Sequence, residues 1–191
     1  MCQRTDCGSL TEILQRFGDP ASRAEPMIVA SPIGLLRLRA ERPGDRDFRF
    51  DLFCKSRLPE WDLAPLDPGV RHQLMQMQFA AQTTSYAAQF PRARFDIIEL
   101  DGRPIGRIVV DRPGDRIHIV DQAIVPQLRS RGAGTAIMRA LMQEAEETEM
   151  PIRLMVADAN DPSLKLYQRL GFRQIDEAVM YMELEWRAAR G

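Results

Sequence analysis

Hydrophobic and polar positions change period several times along this chain, and each change marks an element. Leu35-Leu36-Arg37-Leu38-Arg39 partly alternates and predicts a first strand. Pro43-Gly44 turns the chain, and Asp45 stands where it can cap a helix running to about Arg57. A loop over 58–68 follows, containing Glu60, Trp61 and Asp62. Asp67 then caps and Pro68 opens a second helix. Its expected inner stripe is Val70, Leu74, Met77 and Ala81, at i, i+4, i+7 and i+11. Met75, Met77 and Phe79 are read as core packing, since methionine fills irregular gaps.

Beyond residue 90 the period shortens. Phe95–Leu100 predicts a strand, Asp101-Gly102 a tight turn, and 104–110 the return strand. Arg112-Pro113-Gly114-Asp115 turns again into a strand over 116–125, ended by Pro126, which cannot donate to a ladder. Three strands joined by short turns form an antiparallel meander. Ile137, Met138, Leu141, Met142 and Ala145 then mark one face of a helix over 132–147. A strand at 152–156, a helix at about 162–170 ended by Gly171, and strands near 172–176 and 178–186 complete a mixed α/β pattern.

Composition narrows the function classes. With 191 residues and 45% apolar content the chain fits one domain with an appendage. The expected division is an N-terminal appendage over 1–30 and a domain over 31–191. In the appendage, Ser9–Gly18 can form a short helix capped by Ser9 and Glu12, and 19–26 is a linker. A formal net charge of −1 lends no bulk support to a nucleic-acid or anionic-membrane partner. No apolar run reaches the roughly 18 residues of a membrane helix. Cys2, Cys7 and Cys54 make an odd set without a disulfide framework, so reduced thiols in a cytoplasm are expected. Two histidines without a Cys-x-x-Cys make a structural zinc unexpected, and no metal is anticipated.

The candidate chemistry lies at Gln127–Thr135, Gln-Leu-Arg-Ser-Arg-Gly-Ala-Gly-Thr, between a strand and a helix N-terminus. The first helical turn leaves amide N–H groups without partners, and the helix dipole adds positive potential. Gly132 and Gly134 carry no side chain to obstruct those amides, and Arg129 and Arg131 add charge. No Lys-Ser/Thr follows the second glycine, so this is not a Walker A loop, and Ile137 breaks the dinucleotide fingerprint. A pyrophosphate held by amides and arginines fits. On that reading Gly132→Glu should abolish binding and leave the fold intact.

Ile124–Gly134, with Arg129, Gly132 and Gly134 in register, resembles the acyl-CoA loop of the GNAT superfamily of N-acyltransferases. Asn160–Phe172 resembles that family's second hallmark, Asn-x-x-Ala/Ser-x-x-x-Tyr before Gly-Phe. The resemblance covers roughly residues 33–186. It implies a mostly antiparallel twisted sheet flanked by helices, and an enzyme that transfers an acetyl group from acetyl-CoA, as cosubstrate, to a primary amine by direct attack. It further implies that Ser130, Arg131, Gly132, Ala133, Gly134 and Thr135 join Arg129 on the pyrophosphate. Asn160 and Ser163 would contact the pantetheine or phosphate portion. Backbone groups of Ile124 and Val125, with Gln122 nearby, would bind the pantetheine arm and the thioester carbonyl. Tyr167 becomes the general acid for the departing thiolate.

His118 stands where some members carry a base, and histidine titrates near neutrality. Simple alternation puts it on the face of Val120 and Gln122 and opposite Asp121, unless a bulge intervenes. Asp121, Glu99 and water are the other base candidates. The acceptor, a small-molecule or peptide amine, is left open by the sequence. A non-catalytic acyl-CoA sensing module is the rival reading on the same fold. The family also allows a homodimer, though no residue here specifies an interface.

Overall fold

The computed structural model describes residues 26–61, 66–157, 163–178 and 181–189, with backbone alone at 58–61. Its strands are β1 (Met27–Ser31), β2 (Gly34–Ala40), β3 (Arg94–Leu100), β4 (Arg103–Asp111), β5 (Ile117–Ile124), β6 (Ile152–Val156), β7 (Arg173–Ala178) and β8 (Tyr181–Trp186). Its helices are α1 (Arg46–Trp61), α2 (Pro68–Gln89), α3 (Ala133–Thr148) and α4 (Leu164–Arg169). Among the described residues the strands form one sheet, ordered β1-β2-β3-β4-β5-β6-β8-β7. Every pair is antiparallel except β5 with β6. The expected mixed, mostly antiparallel architecture is the one found.

The sheet starts inside the stretch assigned to the appendage. Met27–Ser31 pairs with β2 from Met27↔Leu38 to Ser31↔Gly34, so the boundary falls before Met27 rather than at residue 30. The helix expected at 9–18 lies outside the described residues. At Asp101-Gly102 both residues have positive φ, 51° and 73°, the turn geometry that matches strand twist.

The main core lies between the sheet and α3. Leu36, Leu38, Ile98, Ile108, Val110, Ile117 and Ile119 pack with Ile137, Met138, Leu141 and Ala145. Ile137 and Met138 are completely buried, each contributing about 1.5–3 kcal/mol through removal from water. The opposite face carries α1 and α2, which share a smaller cluster of Phe53, Met75 and Phe79.

Two expectations about these helices are corrected. Asp45 ends a 3-10 turn and its carboxylate accepts from the Arg42 N–H at 2.7 Å and from Arg39, so it braces β2 instead of capping α1. On α2, Asp67 does cap, accepting from the Gly69 N–H at 2.8 Å and the Val70 N–H at 3.3 Å. The expected stripe, however, faces solvent: Val70 and Met77 are exposed, and Met75 and Phe79 are buried. The inward stripe continues through the half-buried Gln82 and Tyr86, polar residues that a search for apolar periodicity passes over.

Candidate active site

β5 and β6 begin side by side and then part. Their parallel register runs from Ile117↔Ile152 to Ile119↔Leu154 only. β4 stays paired with β5 as far as Gly106↔Ile124, and Met155 and Val156 of β6 follow β8. A wedge therefore opens beside Val120–Ile124. The cause is local: Val109 pairs with Asp121 and Val110 with Ile119, leaving Val120 as an extra residue, and a bulge bends its strand and increases its twist.

This geometry decides which backbone groups face the wedge. The Val125 N–H donates to the Ile105 carbonyl at 2.9 Å. Backbone groups alternate direction along a strand, so Ile124 and Gln122 present theirs to the wedge and Val125 does not. The Ile124 carbonyl accepts from Arg129 Nε at 2.9 Å, which ties the arginine back to the end of β5.

α3 starts at the open end of this wedge. Gly132 is its N-cap residue, and no side chain caps the helix. The first-turn amides of Ala133, Gly134 and Thr135 thus keep the donor character that suits an anion. Ser130 and Arg131 lie exposed in the approach, and Ser130 is left-handed with φ 58°. The two glycines differ in their reason for being glycine. Gly132 has φ 92°, and a Cβ there would lie 2.8 Å from Pro32 Cγ. Gly132→Glu would consequently strain the fold, contrary to the expectation that it spares it. A Cβ on Gly134 would meet only Gln122 Nε2 at 3.7 Å and Leu166 Cδ2 at 3.9 Å. At Gly134, then, β5, α3 and α4 converge around a gap left open by a missing side chain.

α4 ends as its sequence requires. Gly171 takes φ 88°; its N–H donates to the Gln168 carbonyl, and the Phe172 N–H to the Tyr167 carbonyl, both at 3.0 Å. This paired closure is the Schellman motif, and the ring contact between Tyr167 and Phe172, 5.6 Å between centroids, accompanies it. Tyr167 is buried, and Ser163 is the N-cap residue. Asn160 lies outside the described residues, as do Asp62 and the side chain of Glu60.

The bulge also revises the face of the base candidates. His118 pairs with Asp111 and Asp121 with Val109, and residues opposite one another share a face. His118 and Asp121 therefore both face α1 and α2, whereas Gln122 reaches toward α3, its Nε2 3.5 Å from the Gly134 carbonyl. His118 packs edge-on against Phe90 at 5.3 Å. Burial, assisted by Arg116, holds its pKa below the ordinary 6.5, so the ring is neutral at pH 7. Burial pushes the Asp121 carboxyl above its usual range against the pull of Arg107. Glu99 is buried and held by Arg39 at 2.6 Å and Arg37 at 3.3 Å, which ties β2 to β3.

The acetyltransferase (GNAT) family model matches residues 57–172. The chain belongs to the GNAT family. An N-alpha-acetyltransferase of Sulfurisphaera tokodaii is 29% identical over 101 residues, covering 44% of this chain and 58% of the relative, so the chain matches little more than half the length of that protein. Among solved structures, PaiA N-acetyltransferase of Thermoplasma acidophilum in complex with coenzyme A superposes with a TM-score of 0.61 at 13% identity, over 80% of this chain and 99% of that one. Mycobacterium smegmatis RimJ in complex with CoA-disulfide gives 0.58 at 18% identity, over 85% and 87%. At these identities the two structures speak for the GNAT fold.

Sequence reasoning missed Arg107, Glu41 and Tyr86, which surround Asp121 on the GNAT sheet. Arg107 Nη1 donates to Asp121 Oδ2 at 3.1 Å, and Arg107 Nε to Glu41. Its guanidinium lies over the rings of Tyr86 and Phe95, at 6.0 and 5.5 Å. The available signal was a lone charge inside Ile105–Val110, an otherwise uncharged strand core. Among the described residues no cluster suited to a metal ion occurs, and no helix is long and apolar enough to cross a membrane.

Proposed function

We propose that the protein is an N-acetyltransferase that carries an acetyl group from acetyl-CoA to a primary amine of a small molecule or peptide. The observation that carries this reading is the wedge beyond Ile119 and Leu154, with the uncapped start of α3 at its mouth. The Ala133–Thr135 amides and Arg131 would take the pyrophosphate, and the backbone of Gln122 and Ile124 the pantetheine arm. The gap at Gly134 leaves room for that arm to pass between β5 and α4.

His118, neutral at pH 7, takes the proton from the acceptor's ammonium, directly or through water. The freed nitrogen lone pair attacks the thioester carbon, and the carbonyl electrons move onto oxygen, where a backbone donor of β5 steadies the oxyanion. Collapse re-forms the carbonyl and breaks the C–S bond. Tyr167 gives its proton to the departing thiolate, and the attacking nitrogen loses its second proton to the pool from which the tyrosinate is reprotonated. The Sulfurisphaera relative is named for an α-amine acceptor, which supports an amine here without choosing between a peptide and a small molecule.

Tyr167→Phe tests the assignment. The ring and its packing on Phe172 are kept, so acetyl-CoA affinity should hold and turnover should fall by roughly 100-fold, the scale of lost general-acid catalysis. Unchanged turnover would remove Tyr167 from the chemistry.

A further inference from the structure

A line of alternating charges crosses the α1/α2 face of the sheet and ends at the wedge. Arg49 of α1 meets Glu41 at 3.2 Å, Glu41 meets Arg107 of β4, and Arg107 meets Asp121 of β5 at 3.1 Å. Side-chain exposure is 14% for Arg49, 12% for Glu41 and 7% for Arg107, but 27% for Asp121. All four side chains are largely buried, and the last carboxylate is the most accessible of them. Asp121 Oδ2 is taken by Arg107, and among the described residues no donor reaches Oδ1. Arg107 Nη2 is likewise buried without a partner. A guanidinium gripped by two carboxylates and two rings while one buried N–H goes unmet is held for its direction.

We propose that Asp121 Oδ1 is the docking point for the acceptor's ammonium group and that Arg107 is the positioning residue that aims it. The inference rests on the acyl-transfer reading and deepens it, naming the acceptor class as an amine that arrives as its cation. It accords with a division of labour between the two sheet faces. Acetyl-CoA occupies the α3 side, where Gln122 points, and the acceptor enters from the α1/α2 side, where Asp121 and His118 point together because of the Val120 bulge. The charged and titratable groups that act on Asp121 are Arg107 of β4, Arg57 of α1 and Glu41 after β2, and Tyr86 of α2 is near enough to feel its charge. Burial, with Asp121 adding to it, pushes the Tyr86 phenol up to about 12, so it stays a neutral wall of the site. The ammonium would donate to Oδ1, the oxygen that Arg107 leaves open. His118, on the same face, then receives the proton released.

The experiment is steady-state kinetics with whichever amine of a broad panel supports thiol release best, on wild type, Asp121→Asn, Arg107→Gln and Arg107→Lys. Asp121→Asn keeps the shape and removes the charge. It should raise the amine KM about tenfold or more, as expected for loss of a charge-assisted bond, with acetyl-CoA affinity unchanged and with a lowered melting temperature from the lost ion pair to Arg107. Arg107→Gln should raise the same KM, and Arg107→Lys should recover part of it. Should Arg107→Gln fail to fold, Asp121→Asn carries the test alone. An amine KM unchanged in Asp121→Asn overturns the docking role while leaving acyl transfer standing. No thiol release by wild type with any amine overturns the acyl-transfer reading, and the docking role with it.

Discussion

At the scale of single residues, Gly132 and Gly134 show how one motif divides its labour. Both read from sequence as clearances for a phosphate. In the fold Gly132 is a backbone requirement, with its φ of 92° and Pro32 packed against it, and Gly134 faces the space between Gln122 and Leu166. Gly132→Ala should therefore lower stability by about 1–2 kcal/mol, the cost of a left-handed non-glycine residue, measurable as a fall in urea midpoint. Gly134→Leu sits in helical backbone and should preserve that midpoint while weakening acetyl-CoA in calorimetry, because its side chain would enter the space between Gln122 and Leu166. Equal acetyl-CoA affinity in Gly134→Leu would remove that gap from the binding site. Sequence could name the two glycines but not separate them, because φ is set by the turn from Pro126 to Arg131 as a whole.

At the scale of elements, strands and helix limits were legible where period and punctuation agreed. Ile152–Val156 falls on its predicted residues, and Gly171 ends α4 as expected. Three features were hidden for physical reasons. β1 is short and lies at the sheet edge, where pairing with one neighbour demands no strong pattern. The inner stripe of α2 mixes Met75 and Phe79 with Gln82 and Tyr86 because it faces a site as well as a core. The Val120 bulge leaves no mark in composition, yet it reverses which residues share a face with His118. The Arg39 strut beneath β2 was hidden as well. Arg39 grips Asp45 through two bonds of 2.7 and 2.8 Å, both side chains being 11% exposed, and Arg39 holds the Asp45 carboxyl below its ordinary 3.8. A carboxyl with a lowered folded pKa stabilises fully above its unfolded value and loses that contribution as pH falls through the folded one. Arg39 keeps Glu99 as a partner, so Asp45→Asn should cost about 1–3 kcal/mol near neutrality. The gap from wild type in urea midpoint should narrow only below about pH 3.8. A gap independent of pH would mean that the pair adds no charge-dependent stability.

At the scale of the molecule, one sheet separates two approaches and one wedge joins them. The α3 side presents the first-turn amides and the exposed Arg131, and the α1/α2 side ends a buried charge line at Asp121. On the proposed reading, a thioester reached from one face and an amine delivered from the other would meet beside Val120–Ile124. The family was legible from the Arg129–Gly134 loop and the Tyr167–Phe172 segment, which are local in sequence. The acceptor face was not, because Glu41, Tyr86, Arg107 and Asp121 come together only through the sheet. The most direct test of acetyl transfer is to incubate the protein with acetyl-CoA and an amine panel and to quantify free CoA and N-acetylated amine together by mass spectrometry. Equal amounts of the two, appearing with one class of amine and absent without protein, are the predicted result. Free CoA without acetylated amine, or bound acetyl-CoA that no amine discharges, would contradict it.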